Sequence, residues 1–140
     1  MQKILLVLSL LFISLMAKDI AFVQKVKGNV TAQDDVKTIV VEKADWLSEK
    51  MLVTTGDKSG VTMIFKDNSV LILGSNSILI LEKYMFAMKE KNYKFELTLN
   101  KGTVSFESGK IGELSPENFI FKTPEATVGI RGTKFMIKVQ

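Results

Sequence analysis

The residue types that carry most enzymatic chemistry are scarce in this 140-residue chain, which has no histidine and no cysteine. Neutral-pH general bases, thiolate nucleophiles and the commonest transition-metal ligands are therefore excluded. A serine or threonine with a lysine base, or a pair of carboxylates, has no recognisable spacing here. Asp34 and Asp35 are adjacent, yet no further acids follow at the spacing of a calcium loop. The sequence predicts a protein that is not an enzyme and that holds no cofactor or metal.

Arg131 has the most unusual surroundings of the charged residues, because Gly129 and Gly132 bracket it within an apolar stretch. A guanidinium held there presents five donors in a fixed geometry, which can satisfy backbone carbonyls or a carboxylate. We expect this structural role, with recognition of an anionic ligand or of a partner's carboxylate as the functional alternative. The glycines do not form a phosphate loop, since neither a Lys-Ser/Thr ending nor a helix pattern follows.

Two alternating apolar stretches flank Arg131, the first at even positions and the second at odd positions. Their members are Ala126, Val128 and Ile130, then Phe135, Ile137 and Val139. A strand keeps one face only at a period of two, so an extra residue between the stretches is the simplest account of the change. A β-bulge assisted by Gly129 and Gly132 would insert that residue and re-aim the chain.

Residues 123–135, T-P-E-A-T-V-G-I-R-G-T-K-F, resemble the closing signature of FecR-type domains, T-P-x-A-x-V-x-V-R-G-T-x-F. The positions that fit directly are Thr123, Pro124, Ala126, Val128, Arg131, Gly132, Thr133 and Phe135. Residues 66–69 (K-D-N-S) are similar to the family's D-G-S turn, and residues 99–104 to its L-x-x-G-x-V segment. The resemblance extends over residues 20–139.

The resemblance implies a role in envelope signalling. In the family's named members this type of domain lies in the periplasm and relays occupancy of an outer-membrane iron-siderophore receptor to a cytoplasmic sigma-factor regulator. Those proteins also carry an N-terminal cytoplasmic segment and a membrane helix. Neither is recognisable in this sequence, so we expect a stand-alone exported module that does not perform the whole relay.

Residues 1–17 have the pattern of a secretory signal peptide, with Lys3 before an apolar run and Ala17 at its end. The run is shorter than the roughly 20 residues of a membrane-spanning helix, and no second run reaches that length. We expect cleavage near Ala17, a periplasmic or secreted location, and one mature domain at residues 18–140. The net charge of +4 is dispersed among alternating acids and bases, so nucleic acid is not expected as a partner.

A short repeat supplies the candidate contact patch. N-S-V-L-I-L at residues 68–73 returns as N-S-I-L-I-L at residues 76–81, which is typical of a meander or a short solenoid. The leucines share one face of the strands, and the other face is also apolar. Its residues are Val70, Ile72, Ile78 and Ile80. We expect a second layer of the domain to cover this face, with a contact patch for another protein as the alternative.

Aromatic residues suggest a second kind of surface. Trp46, Tyr84 and Tyr93 are candidate stacking platforms for a sugar, although a lone tryptophan more often packs at the edge of a core. For Trp46 we favour packing.

Local patterns predict the remaining elements. Gly28 and Asn29 indicate a hairpin turn, residues 43–50 a helical turn with Asp45 as N-cap, residues 100–102 a turn, and residues 108–116 a surface loop. Some ten short strands without a long helix period predict an all-β single domain, either a twisted solenoid-like stack or a sandwich.

The sequence as a whole predicts a non-enzymatic periplasmic module that binds another envelope protein in sensing, signalling or assembly. The alternative is a module that binds carbohydrate or cell wall.

Overall fold

The computed structural model describes residues 18–130 and 134–140, and within them twelve strands form one curled sheet, a half-barrel. The strands are β1 (Asp19–Lys27), β2 (Val30–Gln33), β3 (Thr38–Val40), β4 (Trp46–Ser48), β5 (Leu52–Thr55), β6 (Gly60–Phe65), β7 (Val70–Leu73), β8 (Ile78–Ala87), β9 (Asn92–Glu107), β10 (Phe119–Lys122), β11 (Thr127–Val128) and β12 (Lys134–Val139). A helix, α1 (Lys110–Leu114), and a 3-10 turn (Pro116–Asn118) follow β9. The all-β single domain predicted from the sequence is confirmed in this form. The predicted signal peptide lies outside the described residues.

Strand β9 divides the sheet into two halves, because its 16 residues pair with both. The first half contains β4, β1, β6, β7, the C-terminal part of β9, and β12. The second half contains β3, β2, β5, β8, the N-terminal part of β9, β10 and β11. Neighbouring strands are antiparallel except β9 and β10, which are parallel. Both halves direct one face toward a shared core.

The repeated leucines supply a large part of that core. Leu71 and Leu73 of β7 and Leu79 and Leu81 of β8 are fully buried, as their alternation predicts. Each such side chain stabilises the fold by about 1.5–3 kcal/mol through removal from water. The two copies of the repeat are not neighbours in the sheet, since β7 pairs with the C-terminal part of β9 and β8 with its N-terminal part.

Strand β9 changes its inward face at Gly102. The buried side chains before this glycine are odd-numbered, ending with Leu99, and those after it are even-numbered, beginning with Val104. Gly102 has φ +100°, which side-chain-bearing residues rarely adopt, and a Cβ built there would lie 1.9 Å from Ser77 Oγ. The prediction that residues 100–102 form a turn between two strands was wrong, because β9 continues through the glycine.

Buried serine and threonine hydroxyls accept hydrogen bonds from backbone N–H groups where the chain crosses from one half of the sheet to the other. The passages at residues 28–29, 56–59, 74–77 and 100–103 lie side by side and exchange backbone hydrogen bonds. The N–H groups of Asn29 and Thr103 donate to Ser59 Oγ (2.9 Å) and Ser77 Oγ (3.0 Å), and the N–H of Ser77 donates to Thr55 Oγ1 (3.0 Å). The hydroxyls of Thr55, Ser59 and Ser77 therefore serve as the hydrogen-bond acceptors at this crossing.

Residues 28–29 form one of these crossings, where the sequence predicted a hairpin between β1 and β2. Gly28 and Asn29 do form a tight turn, with Gly28 at φ +67°. The strands on either side do not pair, since β1 pairs with β4 and β6, and β2 with β3 and β5. The hairpin prediction was wrong because the turn moves the chain into the other half.

Two further local predictions were wrong. Residues 43–50 form no helical turn, because Leu47 is fully buried in a short strand that pairs with β1, and Asp45 instead accepts a hydrogen bond from Glu42 N–H (2.8 Å). Residues 108–116 include α1 rather than loop alone, and Ile111 at its start is fully buried. In both places an apolar side chain reaches the core and fixes the backbone around it.

Aromatic rings fill the core between β9, β10 and β12. Phe95 and Phe119 meet edge-on at a centroid distance of 5.1 Å, and Phe106 lies 5.3 Å from Phe135. Phe121 also meets Phe135 edge-on at 5.8 Å. Phe135 therefore fixes β12 against the rings of β9 and β10.

An ion pair joins β10 to β9 on the outer face. Lys122 donates to Glu96, and this bond lowers the pKa of Glu96 and raises the pKa of Lys122. Because the pKa of Glu96 is lower in the folded chain, its carboxylate stabilises the fold above the ordinary value of 4.5. That stabilisation is lost as the pH falls through the folded pKa.

Glu96→Gln is therefore expected to destabilise the domain near neutral pH and to have no effect in acid. The measurement is urea unfolding of both proteins at pH values from about 7 down to about 3. Glu113→Gln is the control, because Glu113 pairs with Lys110 on an exposed turn of α1. A difference between wild type and Glu96→Gln that stayed constant over this range would contradict the assignment.

Candidate functional site

The outer face of the first half carries apolar side chains where a sheet facing water normally carries polar ones. Phe22 lies opposite Trp46 on one side and Ile64 on the other, and Ile64 lies opposite Val70. Side chains at directly opposite positions share one face, about 4.5–5.5 Å apart. These residues therefore form a continuous row across β4, β1, β6 and β7.

A second row runs beside the first. Ile72 lies opposite Ser105, and Ser105 lies opposite Met136 of β12. Ile72 and Val70 are alternate residues of one strand, so the two rows adjoin. We call the apolar members of both rows the apolar band: Phe22, Trp46, Ile64, Val70, Ile72 and Met136.

The band is open to solvent along much of its length. Trp46 is 45 % exposed, Ile72 48 % and Met136 72 %, and the other members are half-buried. Single exposed apolar residues are ordinary on protein surfaces, whereas contiguous ones mark interaction sites. Tryptophan and methionine are also enriched in the buried centres of protein interfaces. The arrangement suits contact with another macromolecule.

Lysines predominate around the band, and one acid, Glu107, lies among them opposite Val70 and Lys134. Lys66 Nζ lies 5.8 Å from the centre of the Trp46 ring, a cation–π contact, and Lys25 and Lys27 line a shallow depression beside Ile72. On β12, Lys134 and Lys138 flank Met136 on the same exposed face. We call these residues the rim lysines: Lys25, Lys27, Lys66, Lys134 and Lys138. A partner with an acidic margin matches this rim.

The four-residue patch predicted from the repeat is divided by the fold. Val70 and Ile72 belong to the apolar band, whereas Ile78 and Ile80 lie on the outer face of the second half. There Ile80 packs beside Leu52, which lies opposite it on β5, and all three apolar residues are half-buried. The expected second layer is not found over Ile72 in the part of the chain that the structure describes, so that expectation was wrong for the first half.

The predicted sugar platforms are not brought together. Tyr84 is 2 % exposed, so its use as a platform was a wrong prediction. Tyr93 is half-buried against Phe86 at a centroid distance of 6.0 Å in the second half. Trp46 lies in the first half, edge-on to Phe22 at 5.3 Å, which agrees with packing at an edge of the sheet.

Tyr84 belongs instead to a buried polar cluster around Asp67, which is fully buried. The Tyr84 hydroxyl donates to Asp67 Oδ1 (3.0 Å), and the Ser69 hydroxyl and Ile111 N–H donate to Oδ2 (2.8 and 3.1 Å). Gly109 packs so closely that a Cβ there would lie 2.1 Å from the Asp67 carbonyl oxygen. Burial, followed by the charge of Asp67, raises the pKa of Tyr84. The polar cluster fastens the β6–β7 turn to β8 and α1.

Sequence reasoning identified residues 66–69 as a turn and missed this cluster. The turn prediction is confirmed, with Asn68 at φ +68° in place of a glycine. The available signal was an aspartate two residues before a serine, which is also the pattern of an ordinary exposed turn. Only the distant Tyr84 and Ile111 distinguish the two cases.

The closing motif is described in part. Thr123 Oγ1 accepts a hydrogen bond from Ala126 N–H (3.1 Å) across the β10–β11 turn that contains Pro124, and a Cβ on Gly129 would meet nothing within 4 Å. Arg131, Gly132 and Thr133 lie outside the described residues, and with them the predicted roles of the arginine and the bulge. On either side of that gap, Val128 pairs with β10 and residues 134–139 pair with β9. The apolar positions therefore change from even to odd numbers where the chain changes from pairing with β10 to pairing with β9.

No group of three or more metal-ligating side chains occurs among residues 18–130 and 134–140. Asp34 accepts hydrogen bonds from Val36 and Lys37 N–H (2.8 and 2.9 Å), and these bonds, the one from Lys37 foremost, lower its pKa. It closes a solvated turn between β2 and β3. Within the same described ranges, no helix has the length and apolar character needed to cross a bilayer.

The family model that matches this chain agrees with the closing motif. Residues 51–140 match the family model described as "FecR protein". A solved structure described as "Cell surface anchoring domain" is 31 % identical over 44 % of this chain and 82 % of its own, with a TM-score of 0.42. No curated protein matches the chain. Strands β1 to β4 precede the matched region, yet they pair within the same sheet.

Proposed function

The chain belongs to the FecR protein family, whose model matches residues 51–140, and we propose that it is a non-catalytic module of the cell envelope that binds another protein through the apolar band. The observation that carries the proposal is the continuity of the band: apolar side chains adjoin one another from β4 to β7 on a face open to solvent, and Met136 of β12 lies on the same face beyond Ser105. An envelope location is supported by the signal-peptide pattern of residues 1–17.

The chemistry of the partner follows from the band and its margin. Covering Trp46, Ile72 and Met136 removes apolar surface from water at about 25 cal/mol per Å², which favours an apolar patch on the partner. The rim lysines favour Asp and Glu around that patch, and such complementarity raises the rate and the specificity of association. The partner is therefore a folded protein with an apolar centre and an acidic margin.

A carbohydrate-binding function has less support. It needs aromatic faces arranged along one surface, and of the three candidates Tyr84 is buried and Tyr93 lies in the other half. Trp46 alone remains on an open face, with Lys66 over its ring. If purified protein bound peptidoglycan and Trp46→Ala abolished that binding, the carbohydrate function would replace the present proposal.

Ile72→Glu is expected to reduce partner binding at least about tenfold while changing the free energy of unfolding by less than about 1 kcal/mol. A carboxylate at the centre of the band would be desolvated on binding, whereas in the free protein residue 72 is exposed. Ile80→Glu is the matched control, because Ile80 holds the same place in the other copy of the repeat and faces outward from the second half.

The measurement uses a photo-crosslinking amino acid at position 72 or 80 of the full chain in its own host cells. Position 72 is expected to capture one dominant envelope protein, and that capture is expected to fall when Lys66 and Lys134 are changed to glutamate. Capture from position 80 alone, or equal loss of binding in Ile72→Glu and Ile80→Glu, would contradict the proposal.

A further inference from the structure

A second binding surface lies at the edge of β12. A cleft of about 440 Å³ separates β12 from the β10–β11 turn, with Pro124, Ala126 and Val128 on one wall and Ile137 and Val139 on the other. Beside β9, the N-terminal part carries β10 and the C-terminal part carries β12, and β10 and β12 are not paired with each other. The cleft is therefore a break in the curled sheet.

Strand β12 has one paired edge and one free edge within the described residues. All six of its residues are in register with β9 on one side, and no described strand pairs with the other side. Every second residue of an antiparallel strand points its N–H and C=O away from its partner, so β12 presents a row of backbone donors and acceptors. Such a row is a template for an added strand.

The inward side chains of β12 are incompletely covered. Phe135, Ile137 and Val139 are half-buried, whereas Val104 and Phe106, opposite them on β9, are almost fully buried. A strand added at the free edge would cover them and place its own alternate side chains in the cleft. The inward side chains of the added strand must therefore be apolar.

The outward side chains of β12 select the charge of the added strand. They are Lys134, Met136 and Lys138. On β9, Lys134 lies opposite Glu107 and Lys138 opposite Thr103. Acidic residues four apart in the added strand would lie directly opposite both lysines on their free side. A second copy of this chain matches poorly. Antiparallel self-pairing centred on Met136 would place Lys134 of each copy opposite Lys138 of the other, and opposed like charges destabilise a sheet.

We propose that the free edge of β12 and the adjoining cleft bind an extended segment of another protein, with apolar residues at alternate positions and acidic residues opposite Lys134 and Lys138. The segment adds to the sheet as a further strand. This surface uses the backbone edge of β12, whereas the apolar band uses the outer face. The two surfaces share Lys134 and Lys138, so Ile72→Glu, which alters the band alone, is the variant that separates them.

The test is fluorescence anisotropy of the purified chain with labelled peptides. The probe V-E-V-T-V-E-V is compared with V-K-V-T-V-K-V and with two N-methylated acidic peptides. One is methylated at the valines and the other at the glutamates and the threonine, so each lacks the donors of one peptide edge. We expect the unmodified acidic probe to bind to the wild-type protein and one of the two N-methylated peptides to fail. Two cross-strand charge pairs predict a loss of about fivefold to tenfold in Lys134→Glu/Lys138→Glu, which should then prefer the lysine peptide.

Lys89→Glu/Lys91→Glu is the matched control, because it makes the same change of charge in the exposed β8–β9 turn. It is expected to bind like wild type, as is Ile72→Glu, which separates this inference from the proposed function. Three results would each overturn the inference: equal binding of the acidic and lysine peptides, binding of both N-methylated peptides, or a stable dimer of the wild-type chain that K134E/K138E disrupts.

Discussion

Gly102→Ala is expected to destabilise the fold by at least about 3 kcal/mol, a large fraction of the stability of a domain of this size. Its φ of +100° is strained for any residue with a Cβ, and the new methyl group would lie 1.9 Å from Ser77 Oγ and 2.5 Å from Ser77 Cα. The overlap with Cα cannot be relieved by rotating the serine side chain. The backbone would have to move at the point where β9 passes between the halves.

Gly129→Ala is the matched control for this prediction. It makes the same chemical change in a glycine whose φ is not in the left-handed region and whose added Cβ would meet no atom within 4 Å. We expect a change of less than about 0.5 kcal/mol. Urea unfolding followed by Trp46 fluorescence measures both variants. Equal stabilities would show that Gly102 serves no conformational purpose and that β9 tolerates an ordinary residue at its bend.

Asp67→Ala is expected to cost about 3–5 kcal/mol. The carboxylate accepts hydrogen bonds from the Tyr84 hydroxyl, the Ser69 hydroxyl and N–H, and Ile111 N–H, all in the buried interior. Removing it leaves these donors without an acceptor, and each buried unsatisfied group costs about 1–3 kcal/mol. All of these hydrogen bonds would be lost together because their donors share one carboxylate.

A double-mutant cycle tests whether Asp67 and Tyr84 stabilise the fold through the same hydrogen bond. Tyr84→Phe alone is expected to cost about 1–2 kcal/mol. Its cost should be smaller in the Asp67→Ala background, where the hydroxyl has lost its acceptor but still accepts a hydrogen bond from the N–H of residue 67 (2.8 Å). Asp35→Ala, at an exposed turn position, is the control and should lie within about 0.5 kcal/mol of wild type. Additive costs for Asp67 and Tyr84 would contradict the shared hydrogen bond.

Alternation of side chains was sufficient to predict which faces form the core. The leucines of β7 and β8 and the odd-numbered residues of β12 point inward as their period of two requires. Which strands become neighbours was not predictable in the same way. Gly28 with Asn29 and residues 100–102 carry equally ordinary turn signals, yet one links two unpaired strands and the other lies inside β9. The choice depends on partners more than 20 residues away in the chain.

The candidate site, too, could be predicted from the sequence only where it depends on a single strand. Val70 and Ile72 could be recognised from the repeat, because an apolar residue at an outward position is visible in the sequence. Phe22, Trp46 and Met136 join them only through the register of β1, β4 and β12, which is set by pairing across most of the chain. Tyr84 failed as a platform for a related reason, since its burial depends on Asp67 and α1 rather than on its own strand.

The position of β9 in the sequence has a consequence for the order in which the molecule can assemble. Among the described residues, the two halves are joined through the sheet only by this strand, and its residues come after eight other strands. A nascent chain that has emerged only as far as β8 can form hairpins such as β6–β7, but it lacks the strand that joins the two halves. Completion of the native topology must await the last third of the polypeptide, and such long-range pairing makes folding slow.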